Sequence, residues 1–414
     1  MRAIEPSPRL ADVRYDIRGA LARRARELEA AGRDILTLNI GNPARFGFHA
    51  PPHLAEAVAA HLADSDGYGA EQGLDTARAA VAARQLARGA SGVDPTRVFI
   101  GNGVSELIDI SLRALLAPGD EVLLPCPDYP LWSAATRLNG GRPVYYPCTA
   151  CNAHWPDPDD IEARITPRTR ALVLINPNNP TGAVYPRSLL ERMVAIAEAH
   201  GLLLLCDEIY DDIVYDDTPF QPLAPLAGAH PCLSFGGLSK VHRACGYRVG
   251  WMTLSGTHAD TRAYRDALQL LAALRLCPNV PAQWAVAPAL QGADSISALT
   301  APGGHLHRAR AAVLAGVAAS EYLDMVPPRG ALYAFPSVRV DALPVFDDHD
   351  FALRLLEDES VLLAPGSSFN LTASRHLRLT LLPDPDTLAE VFTRIERTLA
   401  RLAQTPASGT VATA

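Results

Sequence analysis

Lys240 is the only lysine in a chain of 414 residues; every other basic residue is arginine. A guanidinium keeps its proton and cannot condense with an aldehyde, whereas an amine able to lose its proton forms a Schiff base with a carbonyl cofactor. One position has kept an amine. An apolar run ending in Ser234-Phe235 leads to it, small residues surround it, and Arg248 follows within Gly246-Tyr247-Arg248-Val249-Gly250. Asp207 comes straight after Leu202 to Leu205 and Cys206, where a carboxylate is costly to bury unless a cation meets it. Arg378, in His376-Leu377-Arg378-Leu379-Thr380, sits on an otherwise apolar strand pattern and suits a bidentate carboxylate. Gly103, Val104 and Ser105 lie between a β-branched run and a helical pattern, where unpaired backbone N–H groups and the helix dipole favour an anion.

These residues need elements to hold them. Ala171-Leu172-Val173-Leu174-Ile175 is a continuous apolar run of the kind buried in a parallel sheet, and it ends in the turn-dense string Asn176-Pro177-Asn178-Asn179-Pro180-Thr181-Gly182. Val98 to Ile100, Glu121 to Pro125, Val144 to Tyr146 and Leu202 to Leu205 read as further strands, and Arg14 to Ala31 reads as a helix. Ser188-Leu189-Leu190-Glu191 has the spacing of a capping box, with Gly201 as the stop of the helix it opens. Strand followed by helix, several times over, predicts a doubly wound α/β sheet whose ligands sit at the strands' carboxyl ends. Beyond residue 255 the pattern turns mainly helical, and from about 300 a smaller α/β unit follows. Residues 1 to 13 are expected to form a flexible arm.

The bulk numbers exclude whole classes. At this length two interleaved domains are expected. No apolar run approaches the roughly 20 residues a membrane helix needs. A net charge of −8 and scattered arginines argue against a nucleic-acid surface. The N-terminal residues show no apolar signal region, so a cytoplasmic enzyme is expected. Seven cysteines read as small buried residues in a reducing compartment, and Cys148-Thr149-Ala150-Cys151 has no second pair to complete a zinc site, so no metal is expected.

A lysine followed by Gly-x-Arg-x-Gly, with Asn-Pro-x-Asn-Pro-Thr-Gly and Asp207 upstream, resembles the class I and II aminotransferases, the fold-type-I enzymes that use pyridoxal 5'-phosphate. The resemblance runs from about residue 14 to 400. It implies a large, mostly parallel seven-stranded sheet domain over residues 47–295, a smaller α/β domain from 1–46 and 296–403, and a disordered tail over 404–414. It implies that Lys240 carries the cofactor, that Asp207 pairs with the pyridine nitrogen, and that Asn179 and Tyr210 hydrogen-bond the phenolic oxygen. Tyr129 would stack on the ring. Gly103, Val104, Ser105, Ser239 and Arg248 would hold the phosphate. Tyr68 would reach the cofactor of a partner subunit, making the enzyme a homodimer. Gly41 and Arg378 would meet the substrate carboxylate, and the strings Pro328 to Pro336 and Val361 to Asn370 resemble loops that line the substrate mouth. One departure stands out: many relatives have serine where this chain has Gly237.

Tyr15-Asp16-Ile17-Arg18-Gly19, Leu38-Asn39-Ile40-Gly41-Asn42-Pro43 and Pro127-Asp128-Tyr129-Pro130-Leu131-Trp132 resemble the bacterial alanine:2-oxoglutarate aminotransferases more narrowly. That implies ping-pong transamination, with Lys240 as general base once freed from the cofactor. A pocket taking both a methyl group and a distal carboxylate is served by a mobile cation, and Arg18, with Tyr15 beside it, is the residue expected to do so. A pyridoxal-phosphate lyase would share the same cofactor residues, and a same-fold aminotransferase with another amino donor remains open from sequence. A DNA-binding regulator of the fused type would need a domain ahead of Arg14.

Overall fold

The computed structural model describes residues 4–404. Seven strands form the central sheet, in the order Val98–Gly101, Gly250–Ser255, Cys232–Gly237, Leu203–Asp207, Thr169–Ile175, Glu121–Cys126 and Arg142–Pro147. Gly250–Ser255 runs antiparallel to both of its neighbours, and the other pairings are parallel. The inner strands are almost wholly apolar because helices cover both faces, so neither side chain direction meets water.

Alternation along each strand sorts its residues between two cores. Leu172 and Leu174 join Leu123, Leu204 and Cys206 on one face, under Leu190 and Met193 of the helix Arg187–His200. Val173 and Ile175 join Val122, Leu205 and Phe235 on the other, under Leu107 and Ile108 of the helix Val104–Leu115. A third core gathers both ends of the chain: Leu38 packs with Val313, Leu332, Leu377, Leu379, Leu388 and Ile395. Within it the short strands Tyr333–Ala334 and Ala364–Pro365 flank Leu377–Thr380 antiparallel, and that three-stranded sheet carries Arg378.

Several local expectations are corrected. Ser188 does not cap a helix: the helix begins at Arg187 after Pro186, Ser188 lies inside it, and Glu191 pairs with Arg187 Nε at 2.7 Å. Proline at the boundary sets the entry and leaves the serine no free N–H to receive. The run from Arg14 is not one helix; Asp16–Arg18 is a 3-10 turn, and the α-helix spans Ala20–Ala30 behind Gly19. Of the seven cysteines only Cys148, Cys206 and Cys232 are buried. Gln404 ends the helix Pro385–Gln404 and is not tail; residues 405–414, where disorder is expected, lie outside the described residues.

Gly201 does stop its helix, with φ of 64° in the left-handed region. A Cβ there would meet nothing within 4 Å. Gly201→Ala therefore carries only the backbone penalty, about 1 kcal/mol of lost stability in urea unfolding. Gly201→Asn, which tolerates that conformation, should lose less; equal losses would show that the conformation is not what matters.

Candidate active site

The carboxyl ends of the sheet strands open into a cavity of about 810 Å³, lined among others by Lys240, Asp207, Tyr210, Asn179, Arg248 and Arg378. Each arrives by a different route. Asp207 is the last residue of its strand, Asn179 lies four residues past the end of Thr169–Ile175, and Lys240 three residues past Cys232–Gly237. Arg378 comes from the opposite side, on its own strand.

The Asp207 carboxylate is almost wholly withdrawn from water and, among the described residues, accepts only from Trp132 Nε1 and Ile209 N, both at 3.3 Å. Burial pushes it up to about 6, against the opposing pull of those two donors and of the Lys240 charge. A buried carboxylate with two long neutral hydrogen bonds is short of a cation. Lys240 Nζ is turned into the cavity and donates to Gly41 O at 2.7 Å.

Gly103, Val104 and Ser105, expected to meet a phosphate, stand at a helix N-terminus. Gly103 has φ of 86° and caps the helix Val104–Leu115, whose first N–H groups, those of Val104 and Ser105, have no intrahelical acceptor. Val104 and Ser105 line the cavity, whereas Gly103 lies behind it, against the Arg248 guanidinium, which a Cβ at 103 would strike. Arg248 donates to Cys245 O at 3.0 Å and Asn102 O at 3.2 Å and lines the cavity. At Gly237 a Cβ would press on Val249 O at 2.9 Å, so that position has no room for serine, and Ser239 lines the cavity instead.

Arg378 is 2% exposed. Its Nη1 donates to Asn179 Oδ1 at 2.7 Å, its Nη2 donates to Asn39 O, and its guanidinium lies between the rings of Tyr333 at 4.2 Å and Phe369 at 4.6 Å. Its Nε is buried without a partner among the described residues. At Gly41, the approach that only glycine permits is to Tyr333, whose Cζ would stand 3.0 Å from a Cβ.

Tyr129 also lines the cavity, and its hydroxyl meets that of Tyr15 at 3.0 Å with the rings edge to face. Arg18 stands exposed at the cavity wall, with no ion pair among the described residues. Tyr68 is not part of this cavity; it is 83% exposed on the surface. Of the two strings expected at the substrate mouth, the first supplies Tyr333, and the second supplies no lining residue but places Phe369 under Arg378. Sequence reasoning missed Tyr333, Trp132 and Asn39. Trp132 stands three residues after Tyr129 in the same string, where its single N–H donor was the available signal.

These residues fit pyridoxal phosphate: a helix N-terminus and an arginine for the phosphate, a cation-deficient buried acid for the pyridine nitrogen, and an amine for the aldehyde. The raised carboxyl has a consequence for the protein without a cofactor. Asp207 is disfavoured once ionised, so the folded state is favoured below about pH 6 and loses stability as pH rises from its unfolded value through about 6. Asp207→Asn should therefore stabilise the cofactor-free protein by about 2 to 3 kcal/mol at pH 8 and by far less at pH 4.5, read by chemical denaturation. An equal gain at both pH values would contradict the assignment.

Comparison with known proteins agrees with this geometry. The sequence model of aminotransferase class I and II matches residues 33–395. The chain is 45% identical over 399 residues to the glutamate-pyruvate aminotransferase AlaA of Escherichia coli, covering 96% of this chain and 98% of that one. It is 47% identical over 395 residues to the alanine aminotransferase of Mycobacterium tuberculosis, covering 95% and 92% respectively. Among solved structures, an aminotransferase from Escherichia coli superposes with a TM-score of 0.95 at 44% identity, covering 98% of this chain and all of that one. The alanine aminotransferase of Pyrococcus furiosus superposes with a TM-score of 0.90 at 34% identity, covering 96% and 100%. With the amine, the buried acid and the buried Arg378 in one cavity and the family's sequence model matched over most of its length, the chain belongs to the class I and II aminotransferases.

Proposed function

We propose that this aminotransferase uses pyridoxal 5'-phosphate to pass an amino group between L-alanine and 2-oxoglutarate, giving pyruvate and L-glutamate in two half-reactions. The observation that carries the reading is the single cavity shared by Lys240, Asp207 and the buried Arg378. The substrate pair is supported by the AlaA and alanine aminotransferase relatives, each matched over nearly its whole length.

Pyridoxal phosphate, when bound, supplies an aldehyde for amine exchange and a ring that accepts the electron pair left by a departing Cα proton. Val104, Ser105, Ser239 and Arg248 would hold its phosphate, backed by Gly103, with Tyr129 against its ring and Asn179 and Tyr210 at its phenolic oxygen. Asp207, ionised beside the ring nitrogen, would keep that nitrogen protonated. Arg378 would orient the amino acid by its α-carboxylate, with Gly41 making room for Tyr333 beside it. Lys240 Nζ would hold the cofactor and, when not bonded to it, would act as the base for the Cα proton. Asn179 serves both ends of this arrangement, since its Oδ1 already fixes Arg378.

A homodimer accords with the exposed Tyr68 and with Leu270, Leu274 and Leu276 lying bare along and just beyond the helix Arg262–Leu274. A cytoplasmic setting accords with seven cysteines in no disulfide. No helix among the described residues is long and apolar enough to cross a membrane.

Lys240→Ala should abolish both the visible absorbance of the loaded enzyme and transamination; survival of both would refute the cofactor reading. In a donor panel with 2-oxoglutarate as acceptor, alanine should give the highest kcat/KM, and a different leading donor would replace alanine in the assignment. Product formation without any acceptor would point to a lyase. Arg18→Ala should raise the KM for 2-oxoglutarate about tenfold while sparing the half-reaction with alanine, the loss expected for one charge-assisted contact. Unchanged values for both substrates would remove Arg18 from the site.

A further inference from the structure

Tyr333 stands where three functional groups of the cavity meet. Its hydroxyl accepts a hydrogen bond from Tyr210 Oη at 3.2 Å. Its ring carries the Arg378 guanidinium 4.2 Å from the centroid. Its oxygen lies 2.5 Å from where a Cβ on Gly41 would be, and Gly41 is the residue whose carbonyl receives Lys240 Nζ. One side chain therefore touches the phenol, the guanidinium and the backbone that anchors the amine.

A ring alone would serve as a cation platform, as Phe369 does on the other side of Arg378 at 4.6 Å. Phenylalanine would suffice for that. The hydroxyl asks for a separate account, because a buried phenol oxygen has to be matched by partners. Burial works to raise its proton affinity, but the Lys240 and Arg378 charges override that and draw it below the usual phenol range. Tyr210, its donor, is pushed well above that range by burial and by Tyr333 itself. The pair is thus polarised in one direction: Tyr210 keeps its proton and Tyr333 offers an oxygen to receive it.

We propose that Tyr333 is a positioning residue with two separable parts: its ring fixes Arg378 for the substrate carboxylate, and its hydroxyl competes with the cofactor's phenolic oxygen for the Tyr210 proton. The inference rests on the cofactor reading of Lys240 and Tyr210. Its consequence has a sign. With the competing acceptor removed, Tyr210 donates to the cofactor oxygen alone, that oxygen offers less to the protonated nitrogen of Lys240, and the nitrogen gives up its proton at lower pH.

The test uses the loaded enzyme and two variants. In Tyr333→Phe the pH midpoint of the visible absorption should fall by about half a unit, the scale of one neutral hydrogen bond, while the amino-acid KM stays within about twofold. In Tyr333→Leu, which also loses the ring, the amino-acid KM should rise about tenfold. A Phe variant that titrates as the wild type does removes the hydroxyl's role. A Phe variant whose KM rises as far as that of the Leu variant removes the separation of parts. Lys240→Ala distinguishes the two levels of failure: if its visible absorption still titrates like the wild type's, the cofactor reading falls and this inference with it, whereas a Lys240-dependent band that is indifferent to Tyr333→Phe overturns the inference alone.

Discussion

A carboxylate withdrawn from water at the end of an apolar strand is the constraint around which this molecule is arranged. Asp207 closes a strand of leucines in the middle of a seven-stranded sheet, with parallel neighbours on both sides, and among the described residues only Trp132 Nε1 and Ile209 N donate to it. Such a group is tolerated because the sheet around it is secured by two apolar cores, which absorb the unfavourable contribution of one unmatched charge. The same sheet fixes where a compensating cation must stand, in front of the strand ends, and the helix N-terminus at Val104 and the Arg248 guanidinium line the same cavity. A heteroaromatic ring with a basic nitrogen at one end and a phosphate at the other answers both demands at once.

The substrate side follows a different logic. Arg378 is held by neutral partners, two oxygens and two aromatic faces, so its charge is oriented without being cancelled. An arginine paired with an internal acid would have had nothing left for a carboxylate. The small three-stranded sheet belongs to the core formed by both chain ends, and its Arg378 and Tyr333 meet the residues at the large sheet's strand ends through Asn179 and Tyr210.

How much of this could be read from the chain depended on range. The fully apolar strands, the glycine turn at Gly103 and the left-handed stop at Gly201 are local consequences of residue type, and they stand as read. Lys240 stands out as the chain's single lysine and Asp207 as a carboxylate after an apolar run, both local features of residue type, whereas Asn179 enters through the family resemblance of its turn. Tyr333 and Trp132 were not singled out, since their partners lie 123 and 75 residues away and neither carries a local anomaly: an aromatic in an apolar run looks like core. Asn39 escaped because it contributes a backbone oxygen, which no residue type announces. The capping box failed for a local reason, Pro186 having fixed the helix start before Ser188 could act. The cysteines failed because a neighbouring apolar run does not say whether the thiol itself points into the core or out of a loop.

The central claim is that Asp207 is a carboxylate waiting for a positive charge, and it can be observed at the carboxyl carbon. In protein labelled with carbon-13 at aspartate side chains, the signal absent from Asp207→Asn identifies this group, and in the cofactor-free protein it should titrate near pH 6. Adding pyridoxal phosphate should hold that signal in its ionised position down to below about pH 5, as a paired carboxylate requires. A midpoint that stays where it was after loading would mean that no cation meets Asp207, and the account built on it would be wrong.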